Sequence, residues 1–171
     1  LSLKNAEVIC QYMADELSVI DADNSDLYAG NAKAYISELE TLDNEYQTAV
    51  DAASTKTVLF GDRFPFRYMV DDYGIDYYAA FVGCSAESEA SFETITFLAG
   101  KTDELGLNTI LQIESADGKI AETIKSATND KNQEILTMDS MQSVTKSDVD
   151  SGATYIDIMR GNLEVLTKAL N

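Results

Sequence analysis

The sequence predicts an α/β domain: a four-stranded parallel sheet with helices on both faces, preceded by one helix and by a second, long helix. Three observations carry this. From Thr55 onward short apolar runs alternate with helical patterns, the arrangement that builds a parallel sheet through helical crossovers. Val58 to Ser85 contains a whole βαβ unit, with Val58-Leu59-Phe60 and Tyr77 to Phe81 as its flanking apolar runs. Gly74, Gly106 and Gly118 fall at the boundaries between runs, and no low-complexity segment interrupts them.

The elements come in order along the chain. Asn5 to Leu17 places Ala6, Ile9, Cys10, Met13, Ala14 and Leu17 at helical spacing, so one helix face is apolar. Asp21 to Ser25 is a polar turn. From Asp26 to about Ala53 one helical pattern turns Leu27, Ala34, Leu39, Leu42, Tyr46 and Val50 inward, and at ~1.5 Å per residue it spans roughly 40 Å. Strands are expected at 57–60, 77–81, 109–113 and 134–138, and helices at 64–73, 90–104, 118–128 and 148–170. Pro65, the single proline, is placed in the first turn of helix 64–73, where its missing N–H costs nothing. Parallel strands joined in this way are covered on both faces and cross over right-handedly. The expected division is 1–24 for the first helix, 25–54 for the long linking helix and 55–171 for the α/β lobe.

At 171 residues the chain is long enough for one domain with a real core and too short for two ordinary ones. Twelve Lys plus Arg against thirty Asp plus Glu give a formal charge of −18, spread along the chain. Nucleic acid is thereby excluded as a partner, since phosphate contacts need clustered cations. An acidic surface concentrates cations around it, and it also keeps a protein soluble; both readings stand. No stretch approaches the apolar length of a membrane span, and no signal peptide is present. A catalytic reading as a flavodoxin-like or receiver-type enzyme finds no support. There is no G-x-G-x-x-G or G-x-x-x-x-G-K-[ST] loop, no histidine for a nucleophile–base pair, and only one acid in Gly61-Asp62-Arg63, where a receiver needs two.

In open α/β sheets ligands sit beyond the carboxyl ends of the strands. Gly61, Asp62 and Arg63 fall there after the first strand, Glu114 closes the third, and Asp139 follows the fourth. Asp62 is either a cap for helix 64–73 or a ligand, and Asp139 is either the head of an Asx-turn or a ligand. Glu114 needs a partner, and an ion pair with Arg63 would supply one.

Phe66 and Tyr68 form an F-x-Y within a helix ending at Tyr73-Gly74. Gly83-Cys84-Ser85 with Glu87 and Glu89 precedes another helix, followed by the strand Ile110 to Glu114 and by Lys119 to Ile124. The chain closes with Leu136 to Thr145 (LTMDSMQSVT), a linker with Gly152, and Tyr155-x-x-x-Met159-x-x-Asn162-Leu163 in a terminal helix. In this order and separation the chain resembles the C-terminal lobe of the zinc and manganese solute-binding proteins of ABC importers, over nearly its whole length. Leu1 to Ala6 resembles the segment after a D-x-H-x-W motif near the end of the family's N-terminal lobe.

The resemblance implies a C-terminal piece of a two-lobed protein, with residues 1–24 from the end of the N-terminal lobe and the long helix as a strut along both lobes. It implies the missing N-terminal lobe and an ABC permease as partners, a monomer, and an extracytoplasmic location on a lipid anchor upstream. The ligand implied is a divalent cation, zinc or manganese, carried as cargo in a site incomplete in this chain. A relative that has lost tight metal binding, serving as an adhesin or taking another ligand, is the alternative that Arg63 and Gln142 keep open.

The family's site draws imidazoles and carboxylates from both lobes, and this chain has no histidine. Two ligands of the N-terminal lobe lie outside it. The third, histidine in zinc binders and glutamate in manganese binders, aligns with Arg63, which cannot coordinate a cation; Asp62 beside it is the substitute. The fourth aligns with Asp139 in the manganese branch and with Gln142 in the zinc branch. Glu114 matches a glutamate of the cleft floor, where it would orient ligands more than bind metal. Oxygen donors of this kind suit manganese better than zinc. Cys10 and Cys84, the only cysteines, are a disulfide pair in an exported protein, two free thiols, or, for Cys84, a soft ligand.

Overall fold

The computed structural model describes residues 1–81, 83 and 89–171. Ser2 opens the first helix, α1 (Leu3–Ile20), by accepting the Asn5 N–H at 3.0 Å. After a 3₁₀ turn at Ala22–Asn24, α2 (Ser25–Asp51) continues for 27 residues. Its second half buries Leu39, Leu42, Tyr46 and Val50 against the sheet, while its first half carries no buried side chain. Ile9, Met13 and Leu17 of α1 and Leu27 of α2 are therefore left exposed on the hairpin that the two helices form.

The rest alternates as expected: β1 (Thr57–Arg63), α3 (Arg67–Tyr73), β2 (Asp76–Phe81), α4 (Phe92–Leu105), β3 (Thr109–Ile113), α5 (Lys119–Ala127), β4 (Glu134–Met138), α6 (Lys146–Asp150) and α7 (Tyr155–Ala169). The strands are parallel in the order β2-β1-β3-β4. The order reverses between β1 and β3, which opens a crevice at their carboxyl ends.

Strand alternation divides the core. Val58 and Phe60 of β1, with Leu111 and Ile113 of β3, face α2, α3 and α7 through Tyr46, Met69, Met159 and Leu166. Leu59 and Ile110 face the other way, onto Ile95 and Leu98 of α4 and Ala121 and Ile124 of α5. Gly61 lets α5 approach β1: a Cβ there would lie 2.6 Å from the Ala121 Cα. Gly106, at φ 62, ends α4 in the left-handed conformation that only glycine adopts without strain.

Three expectations are corrected. β1 runs to Arg63, not to residue 60, because a bulge between Phe60 and Arg63 inserts one extra residue and the strand resumes pairing at Arg63 with Phe81. Helix 64–73 begins only at Arg67, so Pro65 lies before it rather than in its first turn. The Phe64 N–H donates to the Gly83 carbonyl at 2.9 Å, and Phe64 and Phe66 are both buried, which anchors this segment ahead of the helix; a residue before proline is itself disfavoured in the helical conformation. Helix 148–170 is divided into α6 and α7, with Gly152 at φ 98 between them.

Candidate metal centre

Asp62 lies inside β1, only 7% exposed, and both its oxygens are engaged. Oδ1 accepts the Arg63 N–H at 2.7 Å, and Oδ2 accepts the Ile113 N–H of β3 at 3.2 Å. The carboxylate thus staples β1 to β3 across the switch point. It does not cap α3, whose first residue follows Phe66 without a side-chain cap. The Arg63 guanidinium stays beside it, with Nε 3.6 Å from Asp62 Oδ1, and donates from Nη2 to Ser115 Oγ at 3.0 Å.

Glu114, just past β3, is not paired with Arg63. Its Oε2 accepts the Ser140 N–H at 2.8 Å, and its Oε1 accepts the Ser140 and Ser143 hydroxyls, each at 2.9 Å. Burial pushes the Glu114 carboxyl up, but the hydrogen bonds from Ser140, from its own backbone and from Ser143 outweigh burial and hold it below the ordinary carboxylate value.

Asp139 follows β4 and forms the Asx-turn: its Oδ1 accepts the Met141 N–H at 2.7 Å. Its backbone is gripped by Asn162 of α7, whose Oδ1 accepts the Asp139 N–H at 2.7 Å and whose Nδ2 donates to the Asp139 carbonyl at 2.8 Å. Asp148 serves as the third residue of a capping box with Thr145. Glu114, Asp139, Ser143 and Asp148 line one pocket of about 350 Å³, walled by Val144, Ala153 and Ile158.

The structure thus brings together Asp139 and Glu114 and adds Asp148, which sequence reasoning missed although T-x-x-D at 145–148 is a legible helix start. Asp62 and Arg63 are tied to the switch point instead, and Gln142 is exposed next to the loop. Among the described residues no three of His, Cys, Asp and Glu are close enough to hold a metal ion. The donors this lobe offers are oxygens, the chemistry of hard cations. Cys10 is half-buried between α1 and α2 and is free among the described residues; the bridge considered for it involves a residue outside them. Cys84 lies outside the described residues.

An open parallel sheet that gathers carboxylates beyond the carboxyl ends of neighbouring strands, here β3 and β4, is the architecture of a small-ligand binding lobe. Residues 1–169 match the family described as zinc-uptake complex component A, periplasmic, and the chain belongs to that family. It is 30% identical over 150 residues to the high-affinity zinc uptake system protein ZnuA of Bacillus subtilis, a match covering 88% of this chain and 46% of that protein. It is 27% identical over 166 residues to the zinc-binding protein AdcA of Streptococcus pyogenes, covering 97% of this chain and 31% of that one. The chain therefore spans less than half the length of either relative. The solved metal-dependent lipoprotein YcdH of B. subtilis superposes with a TM-score of 0.84 at 27% identity, covering 99% of this chain and 62% of that one. The Zn(II)-bound ZnuA-like domain of Streptococcus pneumoniae AdcA gives 0.79 at 25% identity, covering 99% and 61%. Among the described residues no helix is long and apolar enough to cross a membrane.

Proposed function

We propose that this chain is the C-terminal lobe of an extracytoplasmic receptor that captures a divalent cation, zinc or manganese, and hands it to an ABC permease. The observation that carries the reading is the meeting of Asp139 and Glu114 at one pocket beyond β3 and β4 in a chain of the zinc-uptake family. Asp139 is the metal ligand of this lobe, and Glu114 holds the loop that presents it. The remaining donors come from a second, N-terminal lobe. The bare apolar face of α1 and α2, with Met13 and Leu17 beside a groove of about 300 Å³, supports a further lobe packing there. The role is binding, not catalysis, the receptor is monomeric, and a lipid anchor upstream would hold it at the membrane.

Isothermal titration of the full-length protein with Zn²⁺ and Mn²⁺ tests this. Saturable binding is expected, weakened at least tenfold by Asp139→Ala, which corresponds to ~1.4 kcal/mol. Absence of binding, or a dissociation constant untouched by Asp139→Ala, would remove the metal role. A second reading, a relative without tight metal binding, is favoured by one feature: Arg63 places a permanent cation beside the crevice.

A further inference from the structure

Asn162 is a polar residue on the buried face of α7, 2% exposed, among Met159 and Leu166. A buried primary amide is tolerated only when its groups are bonded. Here Oδ1 and Nδ2 both go to one residue, the Asp139 backbone, at 2.7 and 2.8 Å. The amide thereby imitates a neighbouring strand and extends the order of β4 one residue past its end. The next two residues are held in turn: Ser140 by Glu114, and Met141 by the Asp139 carboxylate. Met141 sits at φ 62, a conformation unfavourable for its side chain that persists only where the surroundings impose it. The loop is thus built before any ligand arrives, with Asn162 at its root.

We propose that Asn162 is a positioning residue for cation capture: its amide fixes the Asp139 backbone, so that the Asp139 carboxylate stands beside Glu114 in a preformed pocket. The inference rests on the metal-binding reading above. It separates Asn162 from residues that merely hold α7 in place. Tyr46 is such a residue, since its hydroxyl donates its one hydrogen bond to the Met159 carbonyl at 2.6 Å, one turn away on α7, and not to the loop.

Amide hydrogen exchange on the isotopically labelled chain compares Asn162→Ala with Tyr46→Phe. Exchange at Ser140 and Met141 is expected to accelerate at least tenfold more in Asn162→Ala than in Tyr46→Phe. Equal effects of the two variants, or unchanged protection in Asn162→Ala, would overturn the positioning role. Mn²⁺ at millimolar concentration supplies the second arm, through paramagnetic broadening of resonances in residues 139–143. Broadening is expected in the wild type and in Tyr46→Phe, and at least several-fold less in Asn162→Ala. Broadening retained in Asn162→Ala overturns the positioning role alone, whereas its absence from the wild type overturns the metal reading and the proposal with it. If Asn162→Ala does not fold, Asn162→Ser, with one hydroxyl in place of the amide, gives the same comparison.

Discussion

Glu114 accepts both the backbone N–H and the hydroxyl of Ser140, at 2.8 and 2.9 Å, and so ties the end of β3 to the loop after β4. A carboxylate with three donors serves this purpose better than a neutral acceptor, because hydrogen bonds to a charged group are the stronger ones. The bond spans the two strands whose carboxyl ends frame the pocket, so the pocket's shape depends on the charge of one side chain.

The ionisation of Glu114 is therefore linked to stability. Its pKa is lowered from an ordinary value of 4.5 in the folded state. A depressed folded value means a contribution present in full above the unfolded pKa and lost as pH falls through the folded one. The stability difference between wild type and Glu114→Gln should be constant from about pH 5.5 to 7 and shrink below about pH 4.5. Urea denaturation of both proteins at a series of pH values measures it, and a difference independent of pH would mean that the charge of Glu114 contributes nothing.

Asp62 is expected to matter to the fold rather than to the ligand. Asp62→Ala leaves the N–H groups of Arg63 and Ile113 without their acceptor, at a cost of roughly 1–3 kcal/mol for each buried donor. Asp62→Asn keeps one acceptor oxygen and should lose about half as much. Denaturation midpoints decide, and an Asp62→Ala protein within about 0.5 kcal/mol of wild type would show the staple to be dispensable.

The strands β3 and β4 were legible to the residue, because short apolar runs between polar turns leave no other reading. β1 was read three residues short. Gly61-Asp62-Arg63 has the composition of a turn, and only tertiary contact shows that the Ala121 backbone and the Ile113 N–H make it a strand. The helix drawn from 148 to 170 ran through Gly152, although the resemblance placed that glycine in a linker, and missed two helix starts of the form T-x-x-D, at Thr145 and Thr154, each of which accepts the N–H three residues on. At the candidate site, Asp139 and Glu114 were singled out from their places at strand ends, and they line one pocket. Asn162 stood in the sequence pattern without a role, since its bond to Asp139 joins residues 23 apart. A lone amide on the apolar face of an amphipathic helix was the available signal.

Close packing at Gly61 gives a sharper test of the α5 interface. A methyl group there would meet the Ala121 Cα at 2.6 Å and the Ala121 N at 3.0 Å, both backbone atoms that cannot rotate away. Gly61→Ala should therefore destabilise by about 1–3 kcal/mol or more, as overpacking does. Truncating Ala121 as well, in Gly61→Ala with Ala121→Gly, removes only the Cβ contact at 2.9 Å and should recover little. Thermal unfolding of the two variants checks this, and full recovery in the double variant would place the conflict in the side chain instead of the backbone.

The last expectation concerns metal added to this chain by itself. The two layers of core on either side of the sheet make a self-contained fold, whereas the carboxylates at the pocket offer oxygens alone and no described trio is close enough to enclose an ion. Zinc without nitrogen or sulfur donors is held weakly, and manganese lacks the further ligands that would complete its shell. Ligand stabilisation scales as RT ln(1 + [L]/Kd), so a site with a dissociation constant of about 1 mM gains only about 0.01 kcal/mol from ~10 μM metal. The thermal midpoint should hardly move on adding micromolar Zn²⁺ or Mn²⁺, while millimolar Mn²⁺ should still broaden resonances near Asp139. A large upward shift reversed by EDTA would mean that this chain carries a complete site of its own. Cys84, the one thiol beyond the described residues, would then be the first substitution to make.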